Sequence, residues 1–141
     1  MTSEIIEDNT LNQLIKKQHY INLIHKVKDV NGAISHCKEL NIDVSRYEIN
    51  DNDPSEIVAY KKLVIVIIAL NEGWKPNQND NAQYKYYNYF YMNNGTFSFT
   101  GTTYATSYMG VPSALFFKSR ELAQYAGRAF IEIYKDYYLI L

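Results

Sequence analysis

The sequence predicts an α+β fold: N-terminal helices, a long central helix, a small three-stranded antiparallel sheet and a C-terminal helix. Three observations point to it. An apolar run at 63–70 lies between Asp53-Pro54 upstream and Gly73-Trp74-Lys75-Pro76 downstream. A tyrosine-dense stretch at 84–91 runs into Asn93-Asn94-Gly95. From Ser119 onward, apolar residues recur at helical spacing.

Residues from Ser3 to about Val27 carry Ile5, Leu11, Leu14, Ile15, Ile21, Ile24 and Val27, mostly three or four apart, with a break expected near His19-Tyr20. From 16 to 28 the charges are Lys16, Lys17, Lys26 and Lys28, joined by His19 and His25, and no acid follows until Asp29. This reads as a basic helical arm over residues 1–28 able to touch phosphates or an acidic partner, or equally as the solvated face of an ordinary amphipathic helix. Residues 29–141 then form the α+β domain, unless arm and domain are one continuous unit. Asp29-Val30-Asn31-Gly32 reads as a turn, 33–40 as a short helix and 41–52 as an acidic linker.

The run at 63–70 is rich in β-branched residues and would also suit a buried strand. Its flanks decide for helix. Asp53 is placed to cap, Pro54 suits a first helical position, and Glu56 favours the positive helix end. Gly73 suits a left-handed helix end, and Pro76 prevents continuation. Ile57, Tyr60, Val64, Ile67, Ile68 and Asn71 share one face, with Ile65, Val66 and Leu70 widening it, so the helix is expected to be covered on more than one side.

In an extended strand, Tyr84, Tyr86, Asn88 and Phe90 share one face while Lys85, Tyr87, Tyr89 and Tyr91 share the other. Asn93-Asn94-Gly95 predicts a hairpin turn, 96–100 the returning strand and 113–117 a third strand. Ser119 is a natural N-cap for the last helix, whose stripe is Leu122, Ala126, Ala129, Phe130, Ile133 and Tyr137. The apolar end, 138–141, is expected to dock or to meet a partner.

With 14 basic and 15 acidic residues, net charge gives no global signal for nucleic acid. Tyrosine is the anomaly in the composition: there are fourteen, and they lift aromatics to 15%. Tyrosine combines rigid contact area with a polar tip, which suits binding interfaces. The single Cys37 excludes an internal disulfide and, with no signal-like start, suggests a reducing, cytoplasmic setting. The eight-residue apolar run is too short to span a membrane. One cysteine and three scattered histidines, His19, His25 and His36, lack metal-ligand spacing. No glycine-rich phosphate loop or acid–histidine pairing points to catalysis, so neither an enzyme nor a cofactor is expected.

The blocks Ala69-Leu70-Asn71-Glu72-Gly73-Trp74-Lys75-Pro76, Tyr84-Lys85-Tyr86-Tyr87 and Phe117-Lys118-Ser119-Arg120-Glu121-Leu122-Ala123-Gln124-Tyr125-Ala126-Gly127 resemble, in this order, small uncharacterised proteins of phages and prophages of the Bacteroidetes. The resemblance implies a phage accessory protein and brings no catalytic residue with it. In that context the expected function is binding to a host protein or ribonucleoprotein, above all inhibition of a defence nuclease such as a CRISPR effector with its guide RNA. Lys16, Lys17, Lys26, Lys28 and Lys85 would meet phosphates, while Tyr86, Tyr87, Tyr89 and Tyr91 would stack on bases or side chains. A virion structural or assembly component and a single-stranded nucleic-acid-binding protein are the alternatives.

Overall fold

The computed structural model describes residues 3–139, with side chains described for 9–139. Helices α1 (Ser3–Lys26), α2 (Val30–Glu39) and α3 (Ser55–Asn71) precede a hairpin of β1 (Lys85–Asn93) and β2 (Thr96–Ala105). Helices α4 (Arg120–Ala129) and α5 (Ile131–Tyr138) close the chain. The fold class is α+β, but two details of the expected architecture are corrected. The sheet has two strands rather than three, and α3 is not the single long helix, since α1 has 24 residues against its 17.

Helix α3 is the centre of the core. Leu63, Val64, Ile65, Val66 and Ile67 are all buried in succession, which on a helix means cover on every side. Each Val, Leu or Ile so enclosed contributes about 1.5–3 kcal/mol. Its neighbours are α2, α4, α5 and the segment around Leu115. At its C-terminus Glu72 (φ 50°) and Gly73 (φ 85°) are both left-handed, and the Gly73 amide donates to the Ile68 carbonyl at 3.1 Å. The start is less as expected. Asp53 makes no cap: its carboxylate accepts from the Asn50 amide and from Lys61 Nζ at 2.7 Å, while Pro54 occupies the cap position.

The turn expected at 29–32 is the first turn of α2. Asp29 is its cap, with Oδ1 accepting from the Gly32 amide at 2.7 Å. Nor does α1 break at His19-Tyr20; its last turns enter the core through Leu23 and Val27.

Residues 113–117 fail as a strand for a visible reason. Ser113–Leu115 is a 3₁₀ turn following Pro112, and Leu115, Phe116 and Phe117 are buried consecutively rather than alternately. One antiparallel bridge remains, Tyr86 with Phe117, its two hydrogen bonds 3.0 and 2.7 Å long. The opposite edge of the segment, facing away from β1, is met by a side chain. Asn71, at the end of α3, donates from Nδ2 to the Phe116 carbonyl at 2.9 Å and accepts at Oδ1 from the Lys118 amide at 3.0 Å.

The C-terminal helix is two helices. Ser119 caps α4 as expected, accepting from the Leu122 amide. Phe130 then leaves helical geometry (φ −116°, ψ 29°), ends α4 and starts α5. The break rotates the stripe, so Ala129 is exposed and Tyr134, not Ile133 or Tyr137, is the buried residue of α5. Ile140 and Leu141 of the apolar end lie outside the described residues.

Candidate functional site

The hairpin sorts its aromatic residues as period-two alternation requires. Cross-strand pairs Tyr86 with Tyr104, Asn88 with Thr102 and Phe90 with Phe99 lie on one face; Tyr87 with Thr103, Tyr89 with Gly101 and Tyr91 with Ser98 lie on the other. A bulge between Tyr89 and Phe90, with Thr100 as the extra residue of β2, keeps both sets in phase.

The first face docks on α4 and α5. Asn88 is buried in a polar node there: Nδ2 donates to the Ala123 carbonyl at 2.7 Å and to the Tyr134 hydroxyl at 3.3 Å, and Oδ1 accepts from Thr102. Burial pushes the Tyr134 phenol far up, so it stays protonated at neutral pH. Phe90 stacks on Phe97 and meets Tyr134 at 4.7 Å between ring centroids. Gly127 of α4 lies against Phe99; a Cβ there would come within 2.5 Å of the ring. At the far end of this face Tyr84 and Tyr104 stack at 4.5 Å, and the Arg120 guanidinium lies over Tyr86 while donating to the Thr102 carbonyl.

The second face carries the tyrosine row. Tyr89 is 39% and Tyr91 58% exposed, their rings edge-on at 6.1 Å. Tyr89 lies across Gly101 and Tyr87 across Gly110, so the absence of side chains at these two positions lets the rings lie flat. Tyr87 donates to the Tyr108 hydroxyl, which donates to the Tyr104 carbonyl at 2.9 Å. That hydrogen bond and partial burial push the Tyr87 phenol up to about 12. The row is therefore preorganised, with Tyr89, Tyr91 and Tyr108 open to solvent.

Lys85 belongs to this face by alternation but is 1% exposed. Its ammonium is held by the carbonyls of Asp80, Gln83 and Thr106, where it closes the loop before β1 over the loop after β2. Lys16 and Lys17 are exposed on α1, Lys28 is exposed beyond it, and Lys26 pairs with Glu39 at 3.1 Å. These lysines are on α1 and its edge, whereas the tyrosines are on the hairpin. Helix α4 touches both: it packs on β1 and β2, and its Tyr125 hydroxyl donates to the Ile24 and Val27 carbonyls.

A second constellation was hidden from sequence reasoning because its members are 36 and 53 residues apart. The left-handed backbone at Glu72 aims its carboxylate between two helices: Oε1 bonds His19 Nε2 of α1 at 2.5 Å and Oε2 bonds His36 Nε2 of α2 at 3.1 Å. Burial pushes the Glu72 carboxyl up, but the hydrogen bonds from His19 and His36 outweigh it and hold the group below the usual range. His36 is 5% exposed, and its Nδ1 has no hydrogen-bond partner within range. The only sequence signal was the pair of histidines, without their carboxylate. Through these two bonds the cluster ties the end of α3 to α1 and α2; among the described residues no group of three or more His, Cys, Asp or Glu side chains is arranged to hold a metal ion.

Beside it an open groove of about 810 Å³ runs between α1 and the start of α4, lined by Ile15, Lys16, Lys17, His19, Tyr20 and Leu23 on one side and Lys118, Ser119, Glu121 and Leu122 on the other. Among the described residues no helix is long and apolar enough to cross a membrane. No family model, curated protein or solved structure matches the chain.

Proposed function

We propose that this chain is a non-enzymatic phage accessory protein that binds and inhibits a host defence nuclease, in the manner of an anti-CRISPR protein. The observation that carries the binding role is the outer tyrosine row, Tyr87, Tyr89 and Tyr91 with Tyr108. Exposed contiguous aromatic surface on a soluble fold marks an interaction site, and tyrosine is among the residues that dominate such sites energetically. The phage setting rests on the three sequence blocks around Trp74, Tyr84 and Ser119, and with it the cytoplasm of a bacterial host.

The favoured target is a protein surface of the effector rather than its RNA. Stacking platforms for single strands are joined to a cationic track. Here Lys85 is spent on backbone carbonyls and Arg120 on Thr102 and Tyr86, and the exposed lysines are on α1. Contact with RNA through Lys16, Lys17, Lys26 and Lys28 is the second reading, and it carries a steep salt dependence that tyrosine contacts lack.

Affinity capture from an infected host, comparing wild type with Tyr89→Ala/Tyr91→Ala, tests this. Recovery of one nuclease in stoichiometric amount, lost in the double variant, supports the reading. Capsid or tail proteins in its place would make the chain a virion component. Guide RNA lost only on replacing the four lysines would move the interface to α1.

A further inference from the structure

The two long edges of the hairpin are finished differently. Tyr86 exchanges both backbone hydrogen bonds with Phe117, so its N–H and C=O, and those of every second residue after it, point away from β2. The tip agrees: Asn93 and Thr96 pair inward across a two-residue turn whose members, Asn94 and Gly95, are both left-handed. The outward backbone groups of β1 are therefore those of Asn88, Phe90 and Met92. Asn88 is buried against α4, but the backbone groups of Phe90 and Met92 have no hydrogen-bond partner among the described residues. Tyr91 and Met92 are 58% and 50% exposed.

On β2 the outward carbonyls are closed. Thr102 accepts from Arg120, Tyr104 accepts from the Tyr108 hydroxyl, and the bulge at Thr100 interrupts the edge toward the tip. Folded sheets blunt their edges with such side chains, bulges, charges or prolines, because an open ladder pairs with another strand. The edge of β1 has no such device. From Tyr86 to Phe117 the chain has no Asp, Glu, Lys, Arg or His, and from Tyr86 to Met92 it has neither Pro nor Gly.

Only an extended backbone supplies a donor and an acceptor at every second residue, so the occupant of this edge is a strand. A charged strand would bury its charges with nothing to match them. The β1 of a second copy brings none. Laid antiparallel about a two-fold axis through Tyr91, Phe90 of each copy faces Met92 of the other, and the two exchange N–H and C=O. The axis is perpendicular to the sheet, which keeps both helical layers on one side and both tyrosine rows on the other.

We infer that the free edge of β1 is a self-pairing strand: two copies of this chain join β1 to β1, antiparallel, into one four-stranded sheet with β2 at each outer edge. Tyr89 and Tyr91 of the two copies then form one continuous row. The pairing uses backbone groups at the edge and does not depend on what the row binds.

Sedimentation equilibrium of the full chain over a concentration series tests it. Wild type is expected to dimerise. Met92→Pro removes the outward amide of Met92 from each copy, half of the donors across the edge, and leaves the hairpin's own ladder intact. It should raise the dissociation constant by at least about tenfold. Met92→Lys, which sets a charge on the edge, should do the same without constraining the backbone of the tip. Cross-linking reads the position. Across the axis the two Tyr91 residues form a non-hydrogen-bonded pair about 4.5 Å apart between Cα atoms, within disulfide range. Under mild oxidation Tyr91→Cys is expected to give a covalent dimer, Cys37 being buried, whereas Ser98→Cys on the same face of β2 is not. A wild-type monomer at every concentration overturns the inference, and so does a dimer that keeps its affinity in both Met92 variants. A monomer that captures a host protein, lost in Met92→Lys, overturns it in favour of a foreign strand.

Discussion

Glu72 occupies a backbone region that costs a non-glycine residue roughly 1–2 kcal/mol, and the return on that strain is a carboxylate shared by His19 and His36. Because its folded value lies below that of the unfolded chain, Glu72 adds stability above the usual carboxylate range. That stability is lost as pH falls through the folded value. Glu72→Gln is therefore expected to lower stability at neutral pH and to flatten the fall on acidification; urea titrations at a series of pH values measure both, and parallel pH slopes for the two proteins would disprove the clamp. Gly127 is constrained from outside the helix rather than by its own backbone. A side chain there must displace Phe99 and Asn88, so Gly127→Val should cost about 1–3 kcal/mol in thermal melts, although valine is the better helix residue in isolation.

At the scale of elements, the missing third strand and the divided C-terminal helix have related causes. Residues 113–115 turn as a 3₁₀ helix after Pro112, Phe117 bridges to Tyr86 of β1, and the Asn71 amide holds the opposite edge of the segment. Asn71→Ala would leave the Phe116 carbonyl and the Lys118 amide without partners. At about 1–3 kcal/mol per orphaned group, the variant should lose about 2–6 kcal/mol, while Asn71→Asp, which keeps only the acceptor, should fall between alanine and wild type. Equal melting temperatures for wild type and Asn71→Ala would show that this segment is held by its phenylalanines alone.

At the scale of the molecule, stability is concentrated around α3 and declines toward both α1 and the hairpin tip. Amides of α3 should exchange with solvent only through global unfolding, because every turn from Leu63 to Leu70 is enclosed or nearly so. Those of residues 9–18 should exchange through local opening, faster by orders of magnitude than those of α3. Hydrogen exchange read by mass spectrometry reports both. Uniform protection of α1 and α3 in dilute solution would contradict this gradient.

The sequence by itself determined whatever rests on local chemistry. Helix α3, the Gly73 terminus, the Ser119 cap, the hairpin at Asn94-Gly95 and the two faces of the tyrosine strand follow from near-neighbour sterics, capping and alternation, which act within a few residues. Tertiary structure decided what depends on which distant groups compete for the same partner. Asp53 reads as a cap, yet Lys61 and the Asn50 amide claim its carboxylate. Lys85 reads as a surface cation, yet three loop carbonyls enclose it. Residues 113–117 read as a strand, yet Ser113–Leu115 turns and Phe117 makes a lone bridge to Tyr86, and His19 and His36 read as scattered until a left-handed Glu72 joins them. Burial and hydrogen bonding across tens of residues leave no periodic trace in a sequence, and so only the packed chain reveals them.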